Sequence, residues 1–201
     1  MKILIDSVTV GSPGGFQLQR ELAWAAVSTL PPHSEVILLI AEGGADVEEK
    51  SGLKVVKVKR PSGGPLGRYR WYNQTLPQIL AEKKIDVLYA QSGIFSKAAT
   101  KVAGVFTTIN NMLPFTPEMM AEYPLFSKQR LKFRILRRIY LKCVTMADAV
   151  LLHSEHALER IQAFGADIQN KSFIAHTGVP SNLAFDPNRL PPHPRGGKPF
   201  Y

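Results

Sequence analysis

Residues 1–30 read MKILIDSVTVGSPGGFQLQRELAWAAVSTL, and the order of three signals within them decides the fold. KILID, Lys2–Asp6, is a short apolar run of the kind a buried strand shows. A turn rich in glycine and proline follows at Gly11, Ser12, Pro13, Gly14 and Gly15. Over 16–30 the positions Leu18, Leu22, Ala25, Ala26 and Thr29 recur at helical spacing, until Pro31 and Pro32 stop the helix.

The same alternation continues downstream. Apolar strand signals lie at 35–40, 54–59, 86–90, 104–109, 149–153 and 172–176. The strand at 54–59 (KVVKVK) alternates and should be the more exposed. Helices are expected over 69–84, near 96–102, over 118–146 with a break at Pro124, and from Ser154 as N-cap to Phe164. Pro77 should kink the helix that contains it. The loop at 60–67 (RPSGGPLG) reads as flexible. Alternating strands and helices with apolar strand cores predict an α/β fold. It is a Rossmann-like doubly wound parallel sheet of about seven strands with helices on both faces. Residues 1–185 form the expected domain, and 186–201 (DPNRLPPHPRGGKPFY) read as a linker.

The composition narrows the function classes. At 201 residues, 45% hydrophobic and 20% charged, the chain is long enough for a real core and too apolar for a disordered tail. No run approaches the roughly 20 apolar residues of a membrane span, and the start is too polar for a secretory signal, so a cytoplasmic location is expected. The single cysteine, Cys143, excludes an internal disulfide and a multi-cysteine metal site, and its setting reads as a buried thiol. The formal net charge is +9, which points to an acidic partner. Seven cations and no acid fall between residues 128 and 142. Counted at about 100° per residue, Arg130, Arg134, Arg137, Arg138 and Lys142 lie within about 140°. Leu131, Ile135, Leu136, Ile139, Tyr140 and Cys143 take much of the remaining circle. Such a helix can be a solvated face over a core, a contact for anionic lipid or a phosphorylated acceptor, or a nucleic-acid contact. The last lacks aromatic interleaving and any known motif, so no nucleic acid is expected.

Several strand ends carry groups with chemistry. In a doubly wound sheet the turn at residues 11–15 lies at the carboxyl edge, where ligands bind. Its glycines permit close backbone approach, and a helix start attracts phosphate. The spacing fits neither a dinucleotide fingerprint nor a Walker loop. Asn110 and Asn111 end the fifth strand, where they suit sugar hydroxyls or a simple Asx turn. Ser154 and Glu155 sit at the next junction, as site residues or as an ordinary helix start. His153 and His176 read as structural. Zinc-peptidase and α/β-hydrolase motifs do not occur.

Five stretches, in order, carry a family resemblance. They are MKILIDSVTVGSPGGFQLQREL, GRYRWYNQTLPQILAEKKIDVLYAQSG, FTTINNMLPFTPE, MADAVLLHSEHALERI and KSFIAHTGVPSNLAFDP. Together they resemble the amino-terminal domain of a family 4 glycosyltransferase, one half of the two-domain GT-B fold. The resemblance implies a retaining transfer of a sugar, of hexosyltransferase type, from a nucleotide-sugar donor to a hydroxyl acceptor, glycan or lipid-linked. No metal or other cofactor is implied. Most of the donor site would lie in a carboxy-terminal domain beyond the linker, so this chain alone should be inactive. By position, Gly14 and Gly15 would face the donor. Asn110 would stand in the catalytic place where many relatives have His. Asn111, Ser154 and Glu155 would serve the acceptor. The charge cluster itself adds Arg134 and Arg138 on the acceptor side, and the basic helix would suit peripheral attachment to an anionic inner membrane face. In this family the leaving phosphate helps deprotonate the acceptor, and no carboxylate nucleophile is needed. The alternative is a stand-alone Rossmann-like module that binds a nucleotide or a phosphate. The coding sequence after Tyr201 separates the two.

Overall fold

Strands buried on both faces need unbroken apolar runs, and the chain supplies them. A computed structural model describes residues 1–11, 13–44 and 47–176. Seven parallel strands form one sheet in the order β3-β2-β1-β4-β5-β6-β7. They are β1 (Lys2–Asp6), β2 (Glu35–Ala41), β3 (Leu53–Val58), β4 (Val87–Ala90), β5 (Gly104–Thr108), β6 (Ala149–Leu152) and β7 (Ser172–Ile174). β2 is buried from Val36 to Ala41. β3 is an edge strand and more exposed than β2, but its burial does not alternate: Lys54 and Lys57 are exposed on opposite faces, and such lysines discourage pairing with other chains. All seven expected strands are present, with ends shifted by one or two residues.

The helices are α1 (Pro13–Thr29), α2 (Gly64–Arg70), α3 (Leu76–Glu82), α4 (Pro117–Ala121), α5 (Lys128–Met146) and α6 (Glu155–Gln162). Alternating strand residues point to opposite faces, so the core has two layers. On one face α1 packs Ala23 with Ile5, Leu38 and Ile40. On the other, Leu76, Leu80, Tyr140, Val144 and Ile161 pack with Leu4, Leu39, Leu88 and Val150. Right-handed crossovers account for this split, because the chain reverses its direction across the sheet after β3.

Two local outcomes differ from the sequence reading. α1 begins at Pro13, so Gly14 and Gly15 lie in its first turn rather than in a loop; proline suits a first helical turn because that position needs no N–H partner. Helix also begins earlier than expected at Gly64, inside the stretch read as flexible. Pro77 sits in the first turn of α3, directly after an irregular turn. There residues Trp71–Thr75 form one wide π-turn, with the Leu76 N–H bonded to the Trp71 carbonyl, and this absorbs the donor that proline lacks. Pro124 does break the region between α4 and α5. Cys143 is buried, its thiol faces the Phe95 carbonyl at 3.4 Å, and burial pushes its pKa up to about 11. The 186–201 linker lies outside the described residues.

Candidate functional site

Every parallel strand delivers its following residue to the same edge, so chemistry gathers where the strand order reverses, between β1 and β4. A pocket of about 350 Å³ lies there. Val10, Gly14, Gly15 and Leu18 line it after β1, Gln91 after β4, Asn110 after β5 and His153 after β6. The sequence reading named three of these, Gly14, Gly15 and Asn110. A larger depression, of about 470 Å³, sits at the opposite edge among Glu35, Glu49, Lys50 and Lys54. Its lining residues lie at the amino ends of β2 and β3, and it has no strand carboxyl end.

The turn after β1 is held from below. The Gln19 amide donates to the Ser7 carbonyl at 3.0 Å, and the Ser7 hydroxyl bonds to Gln91. Gln19, Ser7 and Gln91 are all buried. The Tyr72 hydroxyl, placed by the π-turn, meets Thr9 at 3.3 Å and Ser92 at 3.1 Å, which ties the turns after β1 and β4 together. Asp6 ends β1 fully buried. Desolvation pushes its carboxyl up to about 6, against the Val8 N–H that donates to it at 3.2 Å. The Trp71 indole N–H faces the carboxyl and also opposes the shift, although among the described residues neither it nor the second Asp6 oxygen completes a well-formed hydrogen bond.

Gly14 is informative because the fold does not require it. Its backbone is not in the left-handed region, and among the described residues a Cβ added there would meet nothing within 4 Å. Arg60, from the loop after β3, donates to the Val10 carbonyl at 3.0 Å and lies against Gly11. A cation and the N-terminus of a 17-residue helix therefore share this rim, a setting that favours an anion.

On the far side of the pocket, the Asn110 side-chain amide donates to the Gln91 carbonyl at 3.1 Å, which fixes its orientation. Its oxygen then faces His153 Nε2 at 2.8 Å, so an Nε2–H tautomer donates to it. The other ring nitrogen lies 3.3 Å from the Ala175 carbonyl. An imidazole thus stands beside Asn110, supplied by the next strand. Sequence reasoning assigned His153 to structure and gave Arg60 no part; only the shared sheet edge reveals them.

The remaining predicted residues are placed as follows. Asn111 accepts from the Leu113 N–H at 3.1 Å, an Asx turn. Ser154 caps α6, accepting from the Ala157 N–H at 3.1 Å. Glu155 is exposed in the first turn of α6. Neither Ser154 nor Glu155 lines the pocket, though both adjoin His153. Arg134 and Arg138 point to solvent from α5, away from the pocket wall. Among the described residues, no cluster of three His, Cys, Asp or Glu side chains is arranged to hold a metal.

The sequence profile of Glycosyltransferase Family 4 matches residues 32–183. The chain belongs to Glycosyltransferase Family 4. Two solved structures share its fold. One is HepE (Alr3699) of Anabaena, in complex with UDP and glucose: 16% identical, TM-score 0.51, aligned over 89% of this chain and 45% of HepE. The other is WaaB, a lipopolysaccharide outer core galactosyltransferase in apo form: 15% identical, TM-score 0.54, aligned over 89% of this chain and 46% of WaaB. The chain therefore spans less than half the length of either protein. No curated protein matches it significantly in sequence. Its Rossmann-like sheet is one half of the GT-B architecture of these neighbours. The family match starts at residue 32, so it takes in Asn110, Asn111, Ser154 and His153 but not the glycine turn. The glycine turn joins the site of this Family 4 member through geometry alone.

Proposed function

We propose that this Family 4 chain is the amino-terminal, acceptor-side lobe of a retaining glycosyltransferase, and that it transfers little or no sugar alone. In this reading a nucleotide-sugar lies across the mouth of the pocket, its phosphates toward Gly14, Gly15 and Arg60. The Asn110–His153 pair meets the sugar hydroxyls. The leaving phosphate takes the acceptor proton, so the lobe's task is to position and to stabilise charge rather than to supply a nucleophile. No metal is required. The hydroxyl acceptor approaches past Asn111, Ser154 and Glu155.

One observation carries the reading. Gly14 is a glycine that neither backbone conformation nor packing demands, at the edge of a pocket where a helix begins. A ligand that needs that space explains it. HepE, of the same fold, was crystallised with UDP and glucose, which supports the nucleotide-sugar class.

The test is ligand-observed NMR with UDP and UDP-glucose on this chain and on Gly14→Leu. Weak binding that the substitution abolishes, with an unchanged circular dichroism spectrum, is the expected result. Equal binding by both proteins, or by neither, overturns the donor assignment. A transfer assay on the chain joined to its carboxy-terminal lobe then decides activity.

A further inference from the structure

The outward face of α5 differs from the one its periodicity predicts. Tyr140, Cys143 and Val144 are buried in the core with the sheet, and Phe133 is buried against the Tyr123 ring. Arg130 and Arg137 turn partly inward: Arg130 donates to the Tyr123 carbonyl at 3.0 Å, and Arg137 lies over the Phe164 ring at 4.2 Å. That leaves Leu131, Ile135 and Ile139 in solvent, at 56%, 50% and 38% exposure. They are one row at i, i+4 and i+8, within about 80° of the helix circumference. Arg134 and Arg138 flank the row on one side and Lys132 on the other, while Lys128 precedes it and Lys142 follows it; all five are exposed. No ion pair engages any of them among the described residues. At the amino end of α5 the row continues into Leu125 and Phe126, which are 60% and 100% exposed.

We infer that this face is a docking surface for an anionic lipid bilayer, which α5 meets lengthwise with Phe126, Leu131, Ile135 and Ile139 entering the headgroup boundary. Charge decides among the occupants. A second copy would set one acid-free cationic face against another, and like charges oppose that contact. Nucleic acid would leave the leucine and isoleucine row against phosphates. A bilayer takes both parts, since apolar side chains enter it while Lys and Arg meet lipid phosphates. No described helix is long and apolar enough to cross a membrane, so the contact is peripheral.

The face stands independently of the glycosyl-transfer reading, and its consequence for that reading is geometric. α5 follows β5 and leads into β6, so its amino end and Phe126 lie toward the strand edge that carries the pocket. Docking along α5 sets the sheet edge that carries the pocket beside the bilayer surface, where a lipid-borne hydroxyl acceptor would be within reach.

Vesicle co-sedimentation tests the surface without any sugar transfer. Vesicles of phosphatidylcholine with about 30 mol % phosphatidylglycerol should capture the protein, and pure phosphatidylcholine should not. The pair Arg134→Glu with Arg138→Glu should lower partitioning about tenfold or more at low salt. The pair Leu131→Ser with Ile135→Ser should keep the low-salt encounter and lose the part that resists added salt. Lys97→Glu with Lys101→Glu makes the same change in net charge on another surface and should bind as the parent does. Circular dichroism confirms that each variant is folded. Equal binding to both vesicle types, no loss in the α5 variants, or an equal loss in the Lys97/Lys101 control overturns the proposal. Tighter capture by duplex DNA or by polyglutamate than by anionic vesicles also overturns it and reassigns the face.

Discussion

Two neighbouring strands, β1 and β4, each end in a turn that contains glycine. At Gly93, after β4, φ is +75°, and an added Cβ would lie 2.7 Å from the Thr108 carbonyl oxygen and 3.0 Å from the Tyr140 ring. That glycine is required by the fold. At Gly14, after β1, no described residue fills the space for a Cβ, and the backbone is ordinary. That glycine leaves room for something outside the chain. One residue type therefore does two physically different jobs at one sheet edge, and only the surroundings distinguish them.

The contrast can be broken by substitution, starting with the largest effect. Gly93→Ala should destabilise the domain by about 3 kcal/mol or more in urea unfolding, from left-handed strain plus the clash with backbone. An unchanged midpoint would show that the turn after β4 yields and is no anchor.

Asp6→Asn probes the support under the open turn. Burial raises the Asp6 pKa from 3.8 to about 6. Between those values the folded chain holds a proton that the unfolded chain has released. Stability therefore falls as pH rises through that window and stays lower above it. Asn removes the penalty, so the variant should gain about 2 kcal/mol at neutral pH and almost nothing near pH 4. Equal gains at both pH values would mean that Asp6 acts through something other than its charge.

His153→Ala should weaken binding of UDP-glucose about tenfold, read by calorimetry, while its unfolding midpoint moves little. Loss of stability without loss of affinity would return His153 to a purely structural role. Gly14→Ala should change folding least. It should raise stability by about 0.5 kcal/mol, because alanine is the better helix former, and lower affinity for the same ligand. A gain in both would remove the reason for a glycine there.

The fold was legible because buried parallel strands declare themselves as apolar runs, while the lysine-bearing edge strand at 53–58 showed by its β-branched residues. Order across the sheet followed from right-handed crossovers. The site was legible only where local chemistry marks it, at the Gly14–Gly15 turn and Asn110. His153 and Arg60 escaped because residues 40 to 50 positions apart in sequence meet through pairing that no local pattern encodes. The outward row on α5 escaped for another reason. Leu131, Ile135, Leu136, Ile139, Tyr140 and Cys143 cover about half the helix circle, more than one sheet face can bury. Periodicity gives the angle between residues and not which of them meets the sheet, and the side of Tyr140, Cys143 and Val144 won.

The solitary sulfhydryl has a practical consequence. Cys143 lies beneath Tyr140 and Val144 in the core, with its thiolate suppressed at neutral pH. A thiol-directed label should find no target on the native surface. Single cysteines introduced at Phe126 or at Gly14 would then be the sole attachment points, and fluorescence at each would follow lipid contact and ligand entry separately in one otherwise silent background.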